Sequence, residues 1–187
     1  MLCFWRLMNR KKNKHYLETD QKIQNCLLEL ANENIVPTIS EICRRCSINR
    51  TTFYLHYVDI VELLVKIQEQ IFHQFMESTE MSEQKVTFMS YQSYLLFTRH
   101  VFSNQSFYRL FFRLNTEFPL KPRFEPLWSN IIRPYFLEHG IHDENVMLLR
   151  FVAYQSGFTV SLRKWVEQGC KVSCEEMATI LTECIHV

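Results

Sequence analysis

The sequence predicts an all-α protein. Glycine and proline are scarce, 3 and 5 among 187 residues, so tight turns are few. Apolar residues recur at three- and four-residue spacing instead of alternating, the period of a helix with one buried face. With 47% hydrophobic residues, including 15 Phe, the chain can bury a core as one compact domain or as a small head and a larger body, and overall disorder is excluded.

The elements follow in order. Within residues 1–15, Arg6, Arg10, Lys11, Lys12 and Lys14 face no acidic residue, a basic arm suited to lie along phosphates or to remain a solvated terminus. An amphipathic first helix follows. Thr38 then reads as an N-cap, with Glu41 three residues on completing a reciprocal capping box, and Ile39, Ile42, Cys43 and Cys46 fall at i, i+3, i+4 and i+7. The pattern breaks over Cys46-Ser47-Ile48, and Asn49 is a competent cap for a short helix whose buried side is Ile48, Phe53 and Tyr57. Arg50, Thr51, Thr52, Tyr54, Leu55 and His56 are left for its outer side. Two short helices joined by a tight turn, the second carrying a guanidinium, hydroxyls, a phenol and an imidazole, form a helix-turn-helix with donors for phosphate oxygens and base edges.

Asp59 opens a long helix through Ile60, Leu64, Ile67, Ile71 and Phe75. The polar stretch 77–84 reads as a connection. A helix is expected over about 85–102, then one capped by Ser103-Asn104 through Phe107, Leu110, Phe111 and Leu114. Pro119, Pro122 and Pro126 punctuate a loop before a helix carrying Trp128, Ile131, Ile132, Tyr135 and Phe136 as far as Gly140. The next runs from about Asp143 to Gln168, with Gly169 as its stop. The last has Ser173 as cap, Glu176 at the box position, and Met177, Ile180, Leu181 and Cys184 along one stripe.

The helix-turn-helix segment resembles the N-terminal domain of TetR-family transcriptional regulators. The likeness rests on the Thr-capped helix, the Ile42-Cys43 pair, the Ser47-Ile48 turn and a recognition helix ending in Phe53-Tyr54 and Tyr57, and it covers roughly residues 10 to 75. Two positions depart from that family's pattern: Ser47 stands where glycine is usual, and Ile60 stands where a phosphate-binding lysine is frequent. The body, through Asn104 to Phe111 and Gly157 to Ser173, is similar to a subgroup that includes activators of dihydroxyacetone metabolism. The resemblance implies a TetR-like nine-helix architecture: a basic arm (1–15), a three-helix DNA-binding head (16–60), a connecting fourth helix and linker (61–82), and a helical effector-binding and dimerisation body (83–187).

It further implies a regulator, expected to be an effector-responsive repressor, that binds a near-palindromic duplex operator as a homodimer. The DNA-binding set is Thr38, Asn49, Arg50, Thr51, Thr52, Tyr54, Leu55 and His56, with Thr38, Tyr54 and His56 on phosphates and Arg50, Thr51 and Thr52 on bases. An apolar or aromatic effector would suit Phe97, Phe111, Phe112, Trp128, Tyr154 and Phe158, with polar tips such as Gln155 and Arg113, although aromatic residues at helical spacing also simply pack. Leu148, Val152, Leu162, Met177, Ile180 and Leu181 supply stripes for a dimer contact, with Gly157 allowing close approach. The rival reading is a TetR-like co-activator that works through a protein partner without DNA contacts of its own.

Charge is uneven beneath a net of +1: residues 1–60 carry nine Lys or Arg against six Asp or Glu, residues 61–187 twelve against fourteen. No cofactor is expected, and no catalytic or metal constellation stands out. The seven His show no metal-ligand spacing, and the three glycines form no phosphate loop. Cys43 and Cys46 could be half a zinc site or a redox pair, but their place on an inner helix face favours packing. The odd count of seven cysteines fits reduced thiols in a cytoplasm. The apolar run Met1 to Met8 precedes the basic residues, the reverse of a secretory signal's order, so neither export nor a membrane anchor is expected.

Overall fold

The computed structural model describes residues 2–77, 89–114 and 128–184, with side chains from Lys14 onward except Met76 and Asn130. Among the described residues there are nine α-helices, one short π-helical segment and no strand. Nor is any described helix long and apolar enough to cross a membrane. The chain divides into two compact units, residues 1–72 and 73–187.

In the first unit, α1 (Leu2–Asn32) takes up the basic arm and the first amphipathic helix as one continuous element. Thr19, Ile23, Cys26, Leu27 and Leu30 make its buried stripe. It stops where Asn34 turns to φ 60°, letting the Ile35 amide reach back to the Leu30 carbonyl, and Pro37 bars continuation. Helix α2 (Ile39–Cys46) packs on α1, and α3 (Arg50–His56) packs on α2. Asp59 caps α4 (Ile60–Met76): its Oδ1 accepts from the Glu62 amide, while the Glu62 carboxylate accepts from the Val58 amide. Leu63, Leu64 and Ile67 are the buried part of α4.

The second unit holds α5 (Tyr91–Ser103), α6 (Gln105–Leu114), α7 (Arg133–Glu138), α8 (Glu144–Glu167) and α9 (Cys174–Cys184). The expected loop at Pro119, Pro122 and Pro126 and most of the polar stretch 77–84 lie outside the described residues. Two starts differ from expectation. Helix α5 begins at Tyr91 because Ser90 caps it, its Oγ accepting from the Ser93 amide. Asn104 does not cap α6 with its side chain; its Nδ2 donates to the His100 carbonyl and closes α5. The helix expected from Trp128 onward is π-helical over Trp128–Ile132 before α7. Pro134, at the head of α7, has no amide to donate and crowds the preceding turn, so the regular ladder loosens there.

Helix α9 packs on α5, and α8 on α6. The fully buried Thr98 ties two of them together, donating to Leu95 O at 3.0 Å and Cys174 O at 3.1 Å. Gly169 at φ 75° ends α8, and the Trp165 indole, donating to Val172 O at 2.9 Å, fixes the turn into α9.

Candidate nucleic-acid interface

The turn between α2 and α3 is set by its capping chemistry. Thr38 Oγ1 accepts from the Glu41 amide at 3.2 Å, half of the expected reciprocal box. The other half is replaced: the Glu41 carboxylate takes Arg44 at 2.6 Å and Arg45 at 2.8 Å, and those hydrogen bonds hold its pKa down to about 2. Ser47 adopts φ 53°, ψ 45°, the left-handed conformation that the family's glycine would take without strain. Its amide and that of Ile48 return to Arg44 O and Cys43 O, so the α2 carbonyls are satisfied and the chain reverses within two residues.

Asn49 then starts α3. Its Oδ1 accepts from the Thr52 amide at 2.7 Å and the Thr52 hydroxyl at 3.0 Å. Arg50 Nη2 donates to Ser40 Oγ at 2.6 Å, joining the first turns of α2 and α3 into one exposed surface. Thr38, Asn49, Arg50, Thr51, Tyr54 and Leu55 are all exposed, and Thr52 is half-buried. Such a surface offers a guanidinium, two hydroxyls and a phenol on a short rigid helix, all able to donate to phosphate oxygens or base edges. Ser40 was not among the expected site residues; its i−10 pairing with Arg50 depends on the turn geometry and has no periodic signature.

His56 corrects the expectation. It is buried instead of outward-facing, its ring stacked on Tyr16 at 4.0 Å between centroids. Its Nδ1 lies 3.3 Å from Asp20 Oδ1, an ion-pair distance without hydrogen-bond alignment. The same Asp20 Oδ1 accepts from the Tyr57 hydroxyl at 2.6 Å, while Gln24 Nε2 donates to Asp20 Oδ2 at 3.0 Å and to the Tyr57 oxygen at 3.1 Å. Burial first, and then Asp20, push the Tyr57 phenol well above its ordinary pKa, and Lys66 sits 5.0 Å from that ring's centroid. A seven-residue helix has two full turns at most, and with Phe53, Tyr57 and this polar cluster under it, position 56 falls on the inner side. His56 therefore faces inward and packs α3 on α1.

Three cysteines of this unit sit in its core. Cys26, Cys43 and Cys46 are buried, burial raises all three thiol pKa values, and Cys26 is pushed up to about 12. Cys46 Sγ donates to Lys22 O at 3.4 Å. Held as neutral thiols, they pack as small hydrophobes between α1 and α2.

In the second unit the proposed effector residues are partly brought together. Phe158 stands 5.3 Å from Phe97 and stacks on Tyr154 at 5.7 Å, and Tyr94 joins at 6.0 Å. Phe111 and Phe112 belong to a run with Phe107 and Tyr108 that joins the first group through His100, which meets Tyr108 and Phe97, and Trp128 reaches the first group through Phe151. Arg113 is exposed. The dimer set is also divided. Leu148 and Ile180 are exposed, as is Gly157, and Val152 is half-buried. Leu162, Met177 and Leu181 are buried within the protomer, where the packing of α9 on α5 and of α8 on α6 consumes them, so they are no part of an interface. Leu149 and Val160, 69% and 64% exposed, were outside the expected set. With Ala153 and Ser156 they form an exposed stripe at i, i+4, i+7 and i+11 on α8, a pattern visible in the sequence but hidden by a helix that is apolar on more than one side.

Residues 90–187, just over half of the chain, match the TetR_C_8 family, described as a transcriptional regulator C-terminal region. No curated protein matches the chain.

Proposed function

This chain belongs to the TetR-type transcriptional regulators, and from that premise we propose that it is a sequence-specific DNA-binding protein acting as a homodimer. The observation that carries the reading is the exposed surface made by α2 and α3, where Arg50 is held by Ser40 at the start of a helix that also exposes Thr51 and Tyr54. Arg50 and Thr51, nearest the helix start, are assigned to base edges. Thr38, the cap of α2, and Tyr54 are assigned to phosphates. Asn49 and Thr52 serve the interface through the cap they form together, and Leu55 offers an apolar contact such as a thymine methyl. One short helix reads too few base pairs for specificity, so a second copy is required, and the exposed α8 stripe with Ile180 is the surface assigned to it.

The body is assigned to a small effector, and the direction of control to repression, by resemblance. The finer likeness to activators of dihydroxyacetone metabolism argues for activation, and the sign is read from a reporter placed behind the bound site. No enzymatic role is proposed.

A specific observation favours the rival reading of a protein-binding co-activator. Tyr54, Leu55 and Val58 expose apolar surface at 54%, 71% and 75%, more than phosphate contacts require. Selection of duplexes from a random pool by the purified protein separates the two. Enrichment of a near-palindrome lost in Arg50→Ala supports the regulator; no enrichment from the pool favours the partner protein.

A further inference from the structure

We propose that Gln155 and Thr159 on α8 form the polar end of a small-molecule site that takes a neutral ligand, one with an aromatic or apolar body and a carboxamide-like head able both to donate and to accept hydrogen bonds. The inference rests on the effector-binding role proposed for the body and names the chemistry of that effector. Gln155 is 6% exposed and Thr159 7%, and neither amide atom of Gln155 nor the Thr159 hydroxyl has a hydrogen-bond partner. Four residues apart, they lie one above the other on a single helix face. Buried amides and hydroxyls left unpaired are costly and uncommon, and a missing partner is the ordinary reason for them. Three of the other four buried polar side chains do find partners, Thr19 donating to His15 O, Gln24 to Asp20 and Tyr57, and Thr98 to Leu95 O and Cys174 O, whereas His56 Nδ1 does not.

The aromatic side chains next to the pair along α8 define the rest of the ligand. Phe158 lies between them in sequence, and its ring meets Phe97, Tyr94 and Tyr154. Aromatic faces of this kind receive a flat apolar body. The region also resists charge. Burial holds His100 down to about 4 and raises the phenols of Tyr94, Tyr108 and Tyr154, each toward its neutral form. An ammonium would meet the same penalty with the half-buried Arg163 guanidinium one turn beyond Thr159 adding to it, whereas an amide presents an acceptor for Gln155 Nε2 and donors for Gln155 Oε1 and Thr159 Oγ1 without net charge.

The test uses the full chain and three probes of one shape class: benzamide with a few larger neutral aryl amides, benzoate, and ethylbenzene. Thermal unfolding and calorimetric titration are run on the wild type, Gln155→Leu and Thr159→Val. The amides should raise Tm and bind more tightly than benzoate or ethylbenzene, and each substitution should weaken amide binding about tenfold. Without ligand, both variants should unfold no lower than the wild type, because an unpaired polar group has been removed. A lower ligand-free Tm for Gln155→Leu together with Thr159→Val would mean the pair is already satisfied, and the proposal falls. It falls equally if no amide shifts Tm, the result for a site filled by water alone, or if ethylbenzene or benzoate binds as well. Thr159→Val, nearly unchanged in shape, carries the reading if Gln155→Leu does not fold. Operator affinity measured on the same samples separates the two claims: amide binding that leaves DNA binding unchanged keeps this site and removes its effector role, and a ligand-free protein that binds no operator sinks the regulator reading alone.

Discussion

Ser47 is the residue on which the helix-turn-helix depends most visibly, because a side chain occupies a backbone conformation that glycine takes freely. The left-handed conformation costs an L-residue about 1–2 kcal/mol, and glycine gives back about 0.5–1 kcal/mol through its freer unfolded chain. Ser47→Gly should therefore stabilise the head by about 0.5–1 kcal/mol, read as a higher denaturant midpoint at unchanged slope. A fall in midpoint would show that the turn is not strained. At the surface, Arg50→Ala should cost about 1–3 kcal/mol on the preferred duplex and relax its specificity, while Tyr54→Phe should weaken all duplexes about equally. Equal losses for Arg50→Ala on preferred and random DNA would move Arg50 to the phosphates. In the body, His100 donates a pH dependence. Its folded pKa of about 4 lies below the ordinary 6.5, so the unfolded chain takes up the proton first. Its contribution to stability is complete above pH 6.5, is lost as pH falls toward 4, and changes no further below that. His100→Phe should flatten thermal stability across that window.

At the scale of elements, α3 is held from below by α1. Asp20 collects the Tyr57 hydroxyl, Gln24 and the edge of His56, so a single carboxylate sets how the recognition helix sits. Asp20→Ala leaves the Tyr57 phenol without its acceptor, a loss of about 1–3 kcal/mol, and should speed hydrogen exchange in α3 and weaken operator binding from a position that touches no DNA. Unchanged exchange in α3 would make the cluster incidental. The elements themselves were largely legible: Thr38, Asn49, Asp143 and Ser173 all cap the helices whose starts they announced, and the helical class follows from apolar spacing. The role of His56 was not legible. A seven-residue helix with polar residues on most of its faces gives periodicity too little to decide which side is inner, and Tyr16 and Asp20, which bury His56, lie about 40 residues away. Which side of α8 is exposed was illegible for a related reason, since α8 is apolar on both its buried and its exposed sides, and burial of Leu162 beside exposure of Val160 depends on what α6 covers.

At the scale of the whole molecule, reading a near-palindrome requires two copies on one duplex. Val160→Asp, placed in the exposed stripe, should yield folded monomers whose operator affinity collapses while the far-ultraviolet dichroism is unchanged; dimers of ordinary affinity would remove α8 from the interface. An effector in the body must favour one spacing of the two heads over another, since a ligand with equal affinity for both shifts nothing. Effector and operator affinities should then be coupled reciprocally by about 1–3 kcal/mol. All of this presupposes that the chain reads DNA sequence. The most direct measurement is a titration of the purified protein, at one fixed salt concentration, against the duplex enriched from a random pool and against a scrambled duplex of the same composition. Two protomers should bind per enriched duplex, with an affinity about 10³-fold or more above that for the scrambled one. Equal affinity for the two duplexes would contradict it.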